Sequence, residues 1–399
     1  MTLAHRIDLI KESPTLAVMA KAGKMKKDGS DVIILAAGEP DFATPEHIKI
    51  AAIKAIIDNK TKYTPAGGTP ELKQAVIDKF ARENGLTYAP NQVLVSAGGK
   101  HSLYNALQAL ISEGDEVVIP APYWVSYPDM VLLADGIPRC IECSINTNYK
   151  ITPQQLEEAI THKTKALILN SPNNPTGMVY TKDELYALAQ VLRKHPKIYI
   201  ITDDIYEHIL FEAQPFTNIA NVAPDMLNRI IIINGVSKAY SMTGWRIGFT
   251  ACGNSALIKA MDTIQSQSTS NPCSIAQEAA LAALTGGLAC IAPMKEAFIK
   301  RRNYVVDRLN NINGVKCLQA QGAFYAFFEC STAIKNLYAC GKISEPTDLA
   351  LANYLLEDFL VAGVPGSAFG LENHMRLSFA TSFRELESGL NRIEQAINL

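Results

Sequence analysis

Arg229-Ile230-Ile231-Ile232-Ile233-Asn234-Gly235-Val236-Ser237-Lys238 sets four consecutive isoleucines ahead of an Asn-Gly pair and, two residues further, a serine and a lysine. A short apolar run without alternation marks a strand buried on both faces, as a parallel sheet covered by helices requires. Working outward, Val93 to Ser96, Glu116 to Ile119, Lys165 to Asn170 and Ile198 to Thr202 read the same way, and Pro138 to Cys143 is strand-like. Amphipathic segments such as Ser102 to Leu110 and Leu185 to Leu192 lie between them. Strands alternating with helices predict an α/β fold, a mostly parallel sheet flanked by helices.

Helix starts are marked as well. Thr181 to Glu184 has the form of a capping box. Thr44-Pro45, Thr69-Pro70 and Thr152-Pro153 each read as an N-cap followed by proline at the first helical position. A helix-like run covers Leu16 to Lys26. After about residue 290 a long helix near Met294 to Leu309 leads into Val315 to Leu318, Ala323 to Phe328, a helix over Asp348 to Ala362 and a strand at Met375 to Ala380. That pattern predicts a smaller α+β domain.

A chain of 399 residues exceeds the usual size of one core, so two domains are expected. Apolar residues make up 48% and charged residues 19%, with a net charge of −2 at pH 7. Neither nucleic acid nor an anionic membrane has an electrostatic claim on such a chain. The first residues, with Arg6, Asp8, Lys11 and Glu12, lack the apolar core of a signal peptide, and the isoleucine run is far too short to span a bilayer. Eight scattered cysteines, with Cys140-x-x-Cys143 the sole close pair, read as buried reduced thiols and not as a metal site. A soluble cytoplasmic protein is the expectation.

Ligands in open α/β sheets bind beyond the carboxyl ends of the strands, and here those ends carry a consistent chemistry. Lys238 just past a buried strand is partly desolvated, which favours the free amine needed to attack a carbonyl and form a Schiff base. Arg246, eight residues on among glycines, suits a phosphate. A lysine beside a phosphate holder points to pyridoxal phosphate. Gly98-Gly99-Lys100 opens a helix and presents backbone N–H groups to an anion. Trp124 could stack on a flat ring. The turn Ser171 to Gly177 fixes the amide of Asn174. Asp203 emerges from an apolar strand and needs a positive partner, such as a protonated pyridine nitrogen; Tyr206 follows one turn later. Arg376 begins another apolar strand and suits a carboxylate.

Taken together, Ala37 to Phe42, Lys62-Tyr63, Gly98-Gly99-Lys100, Pro122-Tyr123-Trp124, Ser171 to Gly177, Asp203 to Tyr206, Ser237 to Arg246, and Arg376 resemble the aspartate aminotransferase family of fold type I pyridoxal-phosphate enzymes. These motifs span nearly the whole chain in family order. The resemblance implies a large cofactor-binding domain over 48–292 with a seven-stranded sheet, and a small domain from 1–47 with 293–399. It implies that Lys238 binds the cofactor covalently and carries the proton between Cα and C4′. Asp203 would pair with the pyridine nitrogen, Tyr206 and Asn174 would contact the 3-oxygen, and Trp124 would cover the ring. Gly98, Gly99, Lys100, Ser237 and Arg246 would surround the phosphate, joined by Tyr63 of the other subunit in a homodimer. Arg376 and the Gly38 backbone, with Trp124 and Asn174, would hold the substrate. No metal is implied.

One departure bears on specificity. Relatives of the animal and enteric type bring an arginine from the partner subunit, just before an Asn-Pro pair, to the substrate's distal carboxylate. Thr263 to Pro272 contains no arginine. The chain resembles instead the bacterial subgroup in which Lys100, helped by Thr15, takes that role. The expected reaction is ping-pong transfer between aspartate and 2-oxoglutarate, small amino and 2-oxo acids being the only partners besides the second subunit. Prephenate/glutamate, aromatic and alanine aminotransferases stay open, as does a non-catalytic amino-acid-sensing regulator of the same fold. Such regulators usually carry an added basic DNA-binding domain ahead of the fold, whereas family-like sequence begins here almost at once.

Overall fold

The computed structural model describes residues 3–398 apart from 5 and 213. A short strand β1 (Ile33–Ile34) precedes the seven that build the main sheet. These are β2 (Val93–Ser96), β3 (Glu116–Ala121), β4 (Ile137–Glu142), β5 (Thr164–Asn170), β6 (Tyr199–Asp203), β7 (Ile230–Gly235) and β8 (Gly248–Cys252). Their order is β2-β8-β7-β6-β5-β3-β4. All neighbours are parallel except β8, which runs antiparallel to both β7 and β2. Two antiparallel steps return β2 to the sense of the others, so its carboxyl end reaches the same edge as theirs.

The four isoleucines explain why this sheet is buried on both sides. Ile230 and Ile232 join one hydrophobic cluster, Ile231 and Ile233 the other, and all four are at most 1% exposed. Period-two alternation sends successive side chains to opposite faces; a strand apolar at every position needs a helical layer on each. Further strands are β9 (Lys316–Cys317), β10 (Tyr325–Glu329), β11 (Val361–Ala362), β12 (Val364–Pro365) and β13 (His374–Ser378). They form a four-stranded sheet β12-β13-β10-β9, while β11 pairs in parallel with β1. Ile33 and Ile34 thereby tie the beginning of the chain to its last quarter.

Thr69, Thr152 and Thr181 cap their helices, the last two in reciprocal boxes with Gln155 and Glu184. Thr44 does not. Its hydroxyl donates to Ser241 O at 2.7 Å and accepts from Trp245 Nε1 at 3.0 Å, so the following helix, Glu46–Ile57, starts without a side-chain cap. The helix expected over Asp348 to Ala362 ends at Glu357, because Leu360 adopts φ +58 and the chain turns into β11. Strand β8 was not foreseen. All eight cysteines are unpaired, but only Cys143, Cys252, Cys317 and Cys330 are buried; Cys290 is partly buried, and Cys140, on the edge strand β4, with Cys273 and Cys340 at helix ends, is exposed. No single helix among the described residues is long and apolar enough to cross a membrane.

Candidate active site

The carboxyl ends of β2, β3, β5, β6 and β7 open onto one cavity of about 430 Å³, within the range of small-molecule sites. Lys238, Asp203, Tyr206, Asn174, Trp124, Ser237, Arg246, Gly99, Lys100, Gly38, Thr15 and Arg376 all line it. Four cations, Lys100, Lys238, Arg246 and Arg376, face two carboxylates, Asp203 and Glu39, which favours an anionic ligand.

Gly98 lies just behind the wall, in a left-handed conformation at φ +90, as N-cap of the helix Gly99–Leu110. A Cβ there would fall 2.4 Å from Arg246 Nη2. The glycine thus lets the guanidinium lie directly against the helix start, combining a charge with the N–H groups and dipole of a helix N-terminus. Arg246 itself is exposed and donates to Thr243 O at 2.9 Å. That pairing is the geometry of a phosphate cradle.

Lys238 is deeply placed. Its Nζ donates to Gly38 O at 2.6 Å, and burial lowers its pKa to about 8, with Glu39 opposing the shift and Arg246 and Arg376 adding to it. About a tenth is then free amine at pH 7, far more than for an ordinary lysine, as a nucleophile or proton carrier needs. At the floor, Asp203 accepts from Tyr127 Oη at 2.7 Å and from Ile205 N at 3.3 Å. Burial pushes its carboxyl up, and among the described residues it makes no salt bridge. A buried carboxylate lacking a cation is costly, so the site suits a ligand that brings positive charge to this atom.

Arg376 is 2% exposed. It donates to Asn174 Oδ1 at 2.9 Å and to Ala36 O at 2.8 Å, while its Nε is buried and has no partner among the described residues. Asn174 is in turn fixed by its backbone N–H donating to Asn170 Oδ1 at 2.8 Å. Lys100 Nζ rests 4.8 Å above the Trp124 ring, and burial, then Arg246, lowers its pKa. Thr15 lies near the start of the helix Pro14–Lys27 and reaches the cavity beside Ser13, Leu16 and Met19.

Tyr63 is the exception. It is 92% exposed and does not line the cavity of its own chain. Conversely, Tyr127, Tyr325, Asn170 and Glu39 belong to the site and were not read from sequence. Tyr127 sits three residues past Trp124, inside the helix Ser126–Leu133, and its ring meets Trp124 edge-on at 5.5 Å. That spacing was a usable signal. Tyr325, in the aromatic run Phe324 to Phe328, offered none beyond core formation.

A family model described as aminotransferase class I and II matches residues 30–393. An aspartate/prephenate aminotransferase from Nitrosomonas europaea is 54% identical over 398 residues, covering 100% of each chain. An aspartate aminotransferase from Geobacillus stearothermophilus is 49% identical, with 99% of this chain and 98% of that one covered. Among solved structures, the aspartate aminotransferase from Rhizobium meliloti superposes with a TM-score of 0.94 at 46% identity, over 100% of this chain and 99% of the other. The aspartate aminotransferase from Thermus thermophilus with maleate gives 0.92 at 41% identity, covering 99% of this chain and 100% of that one.

Proposed function

The chain belongs to the class I and II aminotransferase family, and on that premise we propose that it transfers the amino group of L-aspartate to 2-oxoglutarate, using pyridoxal 5′-phosphate. What carries this reading is one cavity that gathers Lys238, Asp203, Arg246 and Arg376. The residues suit the cofactor: an anion cradle at Arg246 and the helix start, a flat aromatic at Trp124, a near-neutral lysine, and a buried carboxylate that lacks a cation. When bound, pyridoxal phosphate supplies an electron sink for the charge left on Cα as its proton leaves.

The side chains divide the remaining work. Gly98, Gly99, Lys100, Ser237 and Arg246 would hold the phosphate. Asp203, kept in place by Tyr127, would keep the ring nitrogen protonated, and Tyr206 with Asn174 would donate to the 3-oxygen. Arg376 would take the substrate's α-carboxylate through its fork, with the Gly38 backbone orienting the amine end. Lys238 would then take the proton from Cα as a free base and return it at C4′. Lys100, with Thr15, would meet the distal carboxylate.

Prephenate as a second oxo-acid substrate is favoured by a specific feature. Apolar Leu16 and Met19 are among the residues lining the cavity, and Lys100 is a point charge without a fork, tolerant of distal groups of different shape. Further parts of the reading are a cytoplasmic location, supported by eight free cysteines, and a division into 48–292 and 1–47 with 293–399. Support for that division is that every strand of the seven-stranded sheet falls within the first segment. A homodimer is supported by exposed Ile50, Ile53, Ile56 and Ile57 along one helix, with exposed Tyr63 just beyond it. Single-turnover mixing of holoprotein with individual amino acids tests the specificity. Loss of visible absorbance should be fastest with aspartate and glutamate; alanine or phenylalanine ahead of both would overturn the assignment.

A further inference from the structure

We propose that Tyr325 is a positioning residue for this reaction: its hydroxyl aims the Tyr206 hydroxyl at the cofactor, while its ring supports the Arg376 guanidinium. The inference rests on the pyridoxal-phosphate reading above.

Tyr325 begins β10 and is fully buried, and Phe327, two residues on, pairs with Arg376 on β13. Its Oη lies 2.9 Å from Tyr206 Oη, whose residue follows β6. The bond therefore joins the four-stranded sheet to the seven-stranded one. Above the Tyr325 ring, at 4.5 Å, sits the Arg376 guanidinium, with Phe369 4.9 Å from that same group. The hydroxyl is also close to the Gly38 backbone, since a Cβ on Gly38 would lie 3.4 Å from it. One side chain thus touches the phenol assigned to the cofactor and the arginine assigned to the substrate.

Each phenol has one proton to donate. If Tyr206 gives its proton to the cofactor's 3-oxygen, Tyr325 must be the donor in the pair, and Tyr206 oxygen the acceptor. Accepting a hydrogen bond polarises the Tyr206 O–H and strengthens its own donation. Loss of the Tyr325 hydroxyl should then weaken stabilisation of a negative 3-oxygen and raise that group's proton affinity. The ring's support of Arg376 is separable, because phenylalanine retains it and leucine does not.

The test compares Tyr325→Phe, Tyr206→Phe, the double variant and Tyr325→Leu by the pH midpoint of the bound cofactor's visible absorption, by cofactor affinity of the apoprotein, and by KM. Tyr325→Phe should raise the proton affinity at that midpoint by roughly two- to tenfold, the worth of one neutral hydrogen bond, while KM for aspartate stays within about twofold. In the Tyr206→Phe background the same change should move the midpoint no further, the signature of two coupled residues. Tyr325→Leu should raise KM as well. An unmoved midpoint in Tyr325→Phe, or equal shifts in both backgrounds, would overturn the proposal while leaving the cofactor reading intact. A wild-type protein that binds no pyridoxal phosphate would remove both.

Discussion

At the scale of single residues the site is held at a cost to stability, and Lys238 is where that cost can be read. Its folded pKa of about 8 lies below the ordinary 10.5, so the unfolded chain binds more protons between those values. Stability contributed at this position therefore rises with pH across that window and is at its lowest below pH 8. The shift corresponds to about 3 kcal/mol, less about 1 kcal/mol for the hydrogen bond to Gly38 O that a substitution would sacrifice. Cofactor-free Lys238→Met should accordingly be more stable than the parent by about 2 kcal/mol at pH 7, with the difference vanishing and then reversing, to about 1 kcal/mol in the parent's favour, as pH approaches 11. Urea unfolding of both proteins at the two pH values checks this; a variant that is less stable at pH 7 contradicts it. Trading stability for a poised group is common at active sites. Lys238, Asp203, Arg246 and Arg376 were legible because each is a charged residue at the end of an apolar run. Tyr127 carried only the weaker signal of its spacing from Trp124, and Tyr325 carried none, because an aromatic residue in an apolar run looks the same whether its hydroxyl serves a site or not.

Elements carry the next level of argument, through ties that cross between them. Lys79, at the end of the helix Pro70–Lys79, is 1% exposed and pairs with Glu207 just beyond Tyr206. Asn84 donates to Glu207 Oε2 at 2.9 Å, and Asn234, four residues before Lys238, donates to Oε1 at 2.8 Å. Burial alone would raise the Glu207 carboxyl, but Lys79 and His208 outweigh it and hold the pKa at about 2. The cluster thereby fixes the two segments that present Tyr206 and Lys238. Lys79→Met would leave that carboxylate without its main cation, and breaking a buried pair from one side costs about 3–5 kcal/mol. The deficit should be full above about pH 4.5, Glu207's ordinary value, and should decline at lower pH as the parent's own pair is lost. Unfolding midpoints across pH 3 to 8 measure it; a loss below about 1 kcal/mol at pH 7 would mean the helix and the Tyr206 segment hold together without the pair. Nothing in the sequence revealed the central pair, since Lys79 and Glu207 lie more than a hundred residues apart. Strand β8 was hidden for a different reason: Gly248-Phe249-Thr250-Ala251-Cys252 has little of the β-branched character that marked its neighbours. Local signals did better, as at Thr69, Thr152 and Thr181, where cap and partner are three residues apart. Thr44 had the same local signature, but a distant loop claimed its hydroxyl.

For the whole molecule the open matter is Tyr63. It is exposed and does not line the cavity of its own chain, and it follows a helix, Glu46–Ile57, whose Ile50, Ile53, Ile56 and Ile57 are each more than half exposed. Apolar residues at positions i, i+3 and i+7 on an outer helix face are costly in water and are the pattern of a surface meant for covering. In a twofold dimer the same patch meets itself, and a residue on its rim can reach the neighbour's site while remaining far from its own. Mixing two defective chains separates the alternatives. In a heterodimer of Lys238→Ala with Tyr63→Phe, action in trans leaves one site with both native residues and one with neither; action within a chain leaves each site with a single defect. Random pairing should then give about a quarter of all sites native cofactor affinity in the first case. A cofactor titration of the mixture should show a tight component absent from either parent, and turnover should appear at the native KM. A titration that is the plain sum of the two parents, with the heterodimer verified by mass, would place Tyr63 outside the neighbouring site and leave its exposure to be explained by the interface alone.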